Sequence, residues 1–190
     1  KPHLKVSDCS QVSDGAAAVI LASEAGVRQL GRALLQCVKV RSYGFCTNPL
    51  GQVNDLLRLD TTAAATAEAM QDGGLTPQDV QVAEVHDCFT IAELLMYEAI
   101  GWAEQGQGID LLLSGRTSIE GDMPVNPGGG LVGFGHPVGA TGVKQAAEIY
   151  RQMKGLCGEY QIQRELHTGL TANLGGDDRT VVSLVLENVS

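Results

Sequence analysis

The chain alternates between short branched-apolar runs and segments with apolar residues every three or four positions. Asp14–Ser23, reading DGAAAVILAS, has the small-to-branched character of a buried strand, and Glu24–Leu30 reads as a short helix after it. Ala33–Phe45 carries Leu34, Leu35, Val38 and Val40 and reads as a long strand. A loop follows from Cys46 to Asp60, with a turn at Asn48-Pro49. Asp60 is placed to cap a helix over TTAAATAEAM, and Gly73-Gly74 stops it. Val80–His86 is a strand. Phe89–Ile100 is a helix with Phe89, Ala92, Leu95, Met96 and Ala99 on one stripe, ended by Gly101. Residues 105–135 read as glycine-rich loop around the apolar run Ile109–Leu113. Ala140–Met153 is a second long helix, with Val143, Ala147 and Tyr150 on one side. Cys157–Glu165 is surface linker. Leu166–Leu174 and Thr180–Val189 are strands joined through Gly175-Gly176-Asp177-Asp178.

Crossover helices between strands point to an α/β sheet covered on both faces, mostly parallel with one antiparallel member. The first apolar segment precedes this unit and reads as a strand of another sheet. The fold class expected for the chain is α/β, a mixed five-stranded sheet with covering helices.

Composition narrows the function. Of 190 residues, 44% are hydrophobic, 18% charged and 4% aromatic, so a Val/Leu/Ile/Ala core is expected rather than disorder. Thirteen Lys and Arg against a net charge of −9 argue against nucleic acid and against an anionic membrane surface. A small polyanionic ligand remains open, because local donors can bind one against an unfavourable overall sign. The five cysteines are widely spaced and include no CxxC, which supports neither a disulfide scaffold nor structural zinc. No apolar run is long enough to cross a bilayer. The opening KPHLKVSDCS has neither signal nor transit pattern, and its lack of Met suggests a cut or partial chain.

Three places could carry chemistry. His86-Asp87-Cys88-Phe89 lies where a strand yields to a helix, the end of an open sheet at which ligands bind. His86 can move protons near neutral pH, and Cys88 can transfer a proton or attack a carbonyl. Asp87 can orient a histidine or cap the following helix. The plain alternative is a structural His-x-Cys. GFGHPVGATG, from Gly133 to Gly142, presents His136 beside Pro137 at a helix start, where glycines allow a ligand close to the backbone. Its plain alternative is a tight loop. Gly175 and Gly176 could aim amides at an oxyanion, or simply form a hairpin turn. No dinucleotide fingerprint, phosphate loop or G-x-S-x-G elbow is present. Zinc on His86, Cys88 and His136 would lack a fourth ligand motif, and no metal is expected.

Taken together, EVHDCFTIAELLMYEAIG and VNPGGGLVGFGHPVGATG resemble the thiolase superfamily, within it the sterol-carrier-protein-2 type. VSDGAAAVILAS, Val12–Ser23, is similar to the last strand region of that family's N-terminal catalytic domain. The resemblance implies a layered thiolase-like fold, with residues 1–30 closing the N-terminal domain and 31–190 forming the C-terminal one. It implies that His136 activates a nucleophilic cysteine and lines an oxyanion hole. His86 would hold the other oxyanion donor, directly or through water. Cys88 would be the acid/base, replacing the C-x-G cysteine of other thiolases, because Asn173-Leu174-Gly175 stands at that place here. Gly175 would keep its amide for the second oxyanion hole, and Phe89, Asn173 and Pro137 would meet the substrate.

The nucleophilic cysteine of the family belongs to a half that is expected to be missing from this chain. The implied activity is Claisen chemistry on CoA thioesters: 3-ketoacyl-CoA thiolysis or acetoacetyl-CoA-forming condensation, as in fatty acid β-oxidation. CoA would be substrate, and no cofactor would be bound permanently. The expected partners are acyl-CoA, the missing N-terminal half and a second copy in a homodimer or larger assembly. The expected location is a mitochondrion or peroxisome in a eukaryote, otherwise the cytoplasm, although Glu187-Asn188-Val189-Ser190 is not the S-K-L address. Two rivals stand beside it: a retro-aldolase partner acting on steroid-type acyl-CoA, and a non-catalytic thiolase-like subunit or acyl-CoA-binding scaffold.

Overall fold

Val38, Val40, Tyr43, Phe45 and Thr47 favour extended backbone, and the stretch they belong to forms the first strand of a four-stranded mixed sheet. The structure is a computed structural model and describes residues 3–52, 55 and 57–189. The strands are β1 (Val38–Thr47), β2 (Val82–Val85), β3 (Thr168–Gly175) and β4 (Thr180–Asn188), in the order β1-β4-β3-β2. β4 runs against both neighbours, while β2 and β3 are parallel. Three strands therefore share one direction and β4 opposes them, as the sequence pattern suggests.

The helices are α1 (Glu24–Gln29), α2 (Asp60–Gly73), α3 (Thr90–Ile100), α4 (Gly108–Leu113), α5 (Gly130–Phe134) and α6 (Thr141–Met153). One core lies between the sheet and α2, α3 and α4, and includes Met70, Val85, Met96, Tyr97, Leu111, Leu170 and Val185. The opposite face packs Val82, Leu166 and Leu186 against Ile149 and Met153 of α6. Two glycines let helices approach the sheet. A Cβ on Gly44 would lie 1.9 Å from the Ala65 carbonyl oxygen of α2. One on Gly169 would lie 2.5 Å from Ile149 Cγ2 of α6. Gly74 and Gly101, both at positive φ, end α2 and α3 as expected.

The sheet has four strands rather than five, and the strand of another sheet expected near the start of the chain is not formed. Asp14–Ser23 has no regular structure, and Ile20 and Leu21 are exposed. A strand needs a neighbour for its N–H and C=O groups, and none lies beside this segment among the described residues. The strand expected from Ala33 starts later, because Leu34–Gln36 forms a 3-10 turn. Of the loop expected over Cys46–Asp60, Val53, Asn54 and Leu56 lie outside the described residues, as do Lys1, Pro2 and Ser190 at the ends.

Two other expectations are corrected. The stretch 105–135 contains α4 and α5, short helices whose glycines hide their period. Asp60 does not cap α2 but is its first helical residue, after Leu59 at φ 47°. The cap comes from Asp178 in the β3–β4 turn, whose carboxylate accepts from Thr61 N at 2.8 Å and Thr62 N at 2.9 Å.

The apolar side read on α6 is not its most buried side. Its buried side carries Gln145, Glu148, Ile149 and Gln152, whereas Val143 and Ala147 are half-buried and Tyr150 is exposed. Glu84 on β2 and Lys144 on α6 form an ion pair of 3.3 Å on this side, and burial pushes the Glu84 carboxyl up to about 7 against the lowering effect of Lys144. Among the described residues no helix is long and apolar enough to cross a membrane.

Candidate active site

The parallel pairing of β2 with β3 brings two polar residues side by side at the strand ends. Val85 is in register with Ala172, so the next residues, His86 and Asn173, share one face. His86 Nδ1 lies 2.8 Å from Asn173 Oδ1. An amide oxygen only accepts, so Nδ1 carries the proton and Nε2 presents a lone pair. Burial pushes the His86 imidazole down to about 4, with the Asn173 hydrogen bond opposing the shift. It is therefore neutral at physiological pH.

The second histidine arrives from the loop after α5. His136 Nδ1 lies 2.7 Å from Thr141 Oγ1, and that hydroxyl donates to the Pro137 carbonyl at 3.2 Å. The hydroxyl has a single proton, and with that proton on Pro137 the Nδ1–H of His136 donates to Oγ1. Its Nε2 is left as an acceptor able to take a proton. Burial lowers the His136 pKa, and the nearby Asp87 charge opposes this. The two imidazoles meet edge to face, with ring centroids 4.9 Å apart.

Cys88 completes the group. It lies on the β2–α3 loop, and its carbonyl accepts from Ser10 N at 2.9 Å, where the N-terminal segment crosses. Burial, reinforced by the Asp87 charge, pushes its thiol pKa up. At neutral pH Cys88 is a protonated thiol, a proton donor rather than a standing nucleophile. His86, Cys88, His136, Asn173 and Gly175 line one cleft of about 430 Å³, with Gly176 and Asp177 of the β3–β4 turn at its rim.

Two residues expected to meet the substrate lie elsewhere. Phe89 is half-exposed, precedes α3 and bridges to Cys9. Pro137 turns its ring toward Gly15 and faces an open hollow formed with Ser13–Ala17. Asn173 lines the cleft, but its side-chain oxygen is used by His86. Thr141 was not among the residues picked out by sequence. Its signal is a hydroxyl in the first helical turn, five residues after His136. Asp87 caps a helix, but not the one that follows it: its Oδ1 accepts from Leu131 N of α5 at 2.7 Å. Among the described residues, no three His, Cys, Asp or Glu side chains converge as a metal site.

Residues 42–188 match the family described as thiolase C-terminal domain-like. The chain belongs to the thiolase family. An acetyl-CoA acetyltransferase of Methanothermobacter thermautotrophicus is 42% identical, the match covering 93% of this chain and 46% of that protein. Human sterol carrier protein 2 is 38% identical over 95% of this chain and 34% of its own length. The benzoylsuccinyl-CoA thiolase subunit BbsB of Thauera aromatica is 34% identical over 93% and 46%. This thiolase-family chain thus spans less than half the length of these curated relatives. Among solved structures, an Ltp2-ChsH2(DUF35) aldolase shares the fold, with a TM-score of 0.64 and 21% identity over 76% of this chain and 38% of the other.

Proposed function

We propose that this chain supplies the acid/base and oxyanion-binding half of an acyl-CoA C-acyltransferase site in a longer polypeptide. The observation that carries the reading is the convergence of two imidazoles, each held through Nδ1, and a thiol on one cleft. The nucleophilic cysteine would come from the part of the longer relatives that this chain does not span.

In degradation, Nε2 of His136 takes the proton of that cysteine, and the thiolate attacks the 3-keto carbon of the substrate. The imidazolium then donates to the thioester oxygen. His86 keeps its proton on Asn173, so it cannot donate directly. Its Nε2 instead holds a water whose second proton meets the developing oxyanion. When the bond between C2 and C3 breaks, its electron pair leaves as the acetyl-CoA enolate, which Cys88 protonates. The Cys88 thiolate next removes the proton of incoming CoA, whose sulfur takes the acyl group and frees the nucleophile. Gly175 offers its backbone at the same cleft. CoA enters as substrate and no resident cofactor is required.

The test is thiolysis of a 3-ketoacyl-CoA by the intact polypeptide. Cys88→Ala is expected to lower kcat by roughly 10²–10⁴, with KM little changed. Unaltered thiolysis and condensation rates would remove Cys88 from this role. Cleavage that consumes no free CoA would point to retro-aldol chemistry. A wild-type polypeptide that binds CoA esters without turnover would support the carrier reading, which relatives named sterol carrier protein 2 and non-specific lipid-transfer protein-like 2 favour.

A further inference from the structure

His86 and Cys88 face the cleft, but the residue between them does not line it. Asp87 is 5% exposed and reaches across to the start of α5. Its Oδ1 accepts from Leu131 N at 2.7 Å, and burial pushes its carboxyl pKa up against the lowering effect of the Leu131 and Val132 amides. Gly130 is the seat of this contact: a Cβ there would lie 2.2 Å from Asp87 Oδ2. No side chain at Gly130 could coexist with the carboxylate in this position.

The contact leads to His136 in three steps. α5 has only five residues, too few to hold a position by their own hydrogen bonds. Leu131, gripped through its amide by Asp87, accepts through its carbonyl from Gly135 N at 3.0 Å. Gly135 turns the chain at φ 97°, and His136 follows. Thr141 then fixes the ring from the other side. Of these two anchors, only Asp87 belongs to the loop that carries His86 and Cys88.

We propose that Asp87 is a positioning residue, which holds His136 in register with His86 and Cys88 by gripping the first turn of α5. The catalytic arm of its test rests on the acyltransferase reading. The structural arm does not.

The experiment compares Asp87→Asn and Asp87→Ala in the intact polypeptide. Asn keeps an acceptor for Leu131 N, and Ala does not. In histidine-labelled protein, the cross-relaxation between the His86 and His136 ring protons persists in the wild type and in D87N, and disappears in D87A. In thiolysis, D87A loses kcat by about a hundredfold, the scale of an ångström-sized misplacement, with KM nearly unchanged, while D87N recovers most of the rate. Three results overturn the proposal. D87A could retain the ring contact. It could lose activity only in proportion to its unfolded fraction. Or D87N could be as damaged as D87A, which would make the charge rather than the grip decisive. If the wild type shows no thiolysis, the acyltransferase reading fails, and the ring contact alone still decides the part played by Asp87.

Discussion

The cap supplied by Asp178 gives the sharpest stability prediction. Asp178 is 2% exposed, and its carboxylate accepts from Thr61 N, Thr62 N and Thr62 Oγ1. Thr61 and Thr62 are themselves buried, so water cannot readily take over. Losing a helix N-cap costs about 0.5–2 kcal/mol when the freed amides reach solvent. Leaving a buried donor unsatisfied costs about 1–3 kcal/mol. Asp178 also sits at φ 62°, where a residue with a Cβ other than Asn or Asp adds about 1 kcal/mol. Asp178→Ala is therefore expected to cost about 4 kcal/mol, and Asp178→Asn about half of that, since Asn keeps one acceptor and tolerates the backbone. Asp178→Gly removes the strain but not the lost bonds, and should fall about 1 kcal/mol short of the alanine variant. Urea unfolding with an unchanged m value reads all three. A loss below about 1 kcal/mol for the alanine variant would refute the claim that this turn caps α2.

Two further predictions concern pH and packing. The folded state holds His86 down at about 4 against 6.5 for the free group, so on acidification the unfolded chain binds this proton first. His86 therefore makes stability rise with pH between those values, by about 3 kcal/mol in all. Glu84 acts oppositely: it is pushed up from 4.5 to about 7, so the folded state keeps its proton longer and stability falls as pH rises across that window. Stability–pH curves for His86→Asn and Glu84→Gln should diverge from the wild type in opposite senses, and parallel curves would contradict both assignments. Gly44→Ala forces a Cβ onto the Ala65 carbonyl and should cost about 3 kcal/mol or prevent folding, whereas Gly51→Ala, with open space, should be nearly neutral. Equal thermal midpoints for the two variants would show that β1 and α2 have room to separate.

Much of this fold could be read locally. The periods of α2 and α3 and the glycines at 74 and 101 are short-range signals, and the structure follows them. What escaped depends on partners distant in the chain. Asp60 looks like a cap because nothing nearby competes, yet Asp178 performs that task 117 residues away from Thr61. Asp14–Ser23 has the composition of a strand, but composition cannot supply a neighbour. On α6 the apolar side formed by Val143, Ala147 and Tyr150 does not reveal the buried one, which carries Gln145, Glu148, Ile149 and Gln152. In the site, His86, Cys88 and His136 were legible as motifs, whereas Gly175, read as part of a turn, ends β3. The tautomers were not, since they depend on Thr141 and on the oxygen of Asn173.

The long crossover between β2 and β3 has a kinetic consequence. The strand carrying His86 ends at Val85, and its parallel neighbour begins only at Thr168. Four helices must be threaded between them before His86 can meet Asn173. Closing so large a loop is entropically slow, and its hydrogen bonds repay nothing until the sheet zips. The contact between His86 and Asn173, 87 residues apart, therefore forms only when this non-local pairing is made. A polypeptide that has collapsed and formed all its helices still lacks a site, so the site reports completed topology rather than secondary structure.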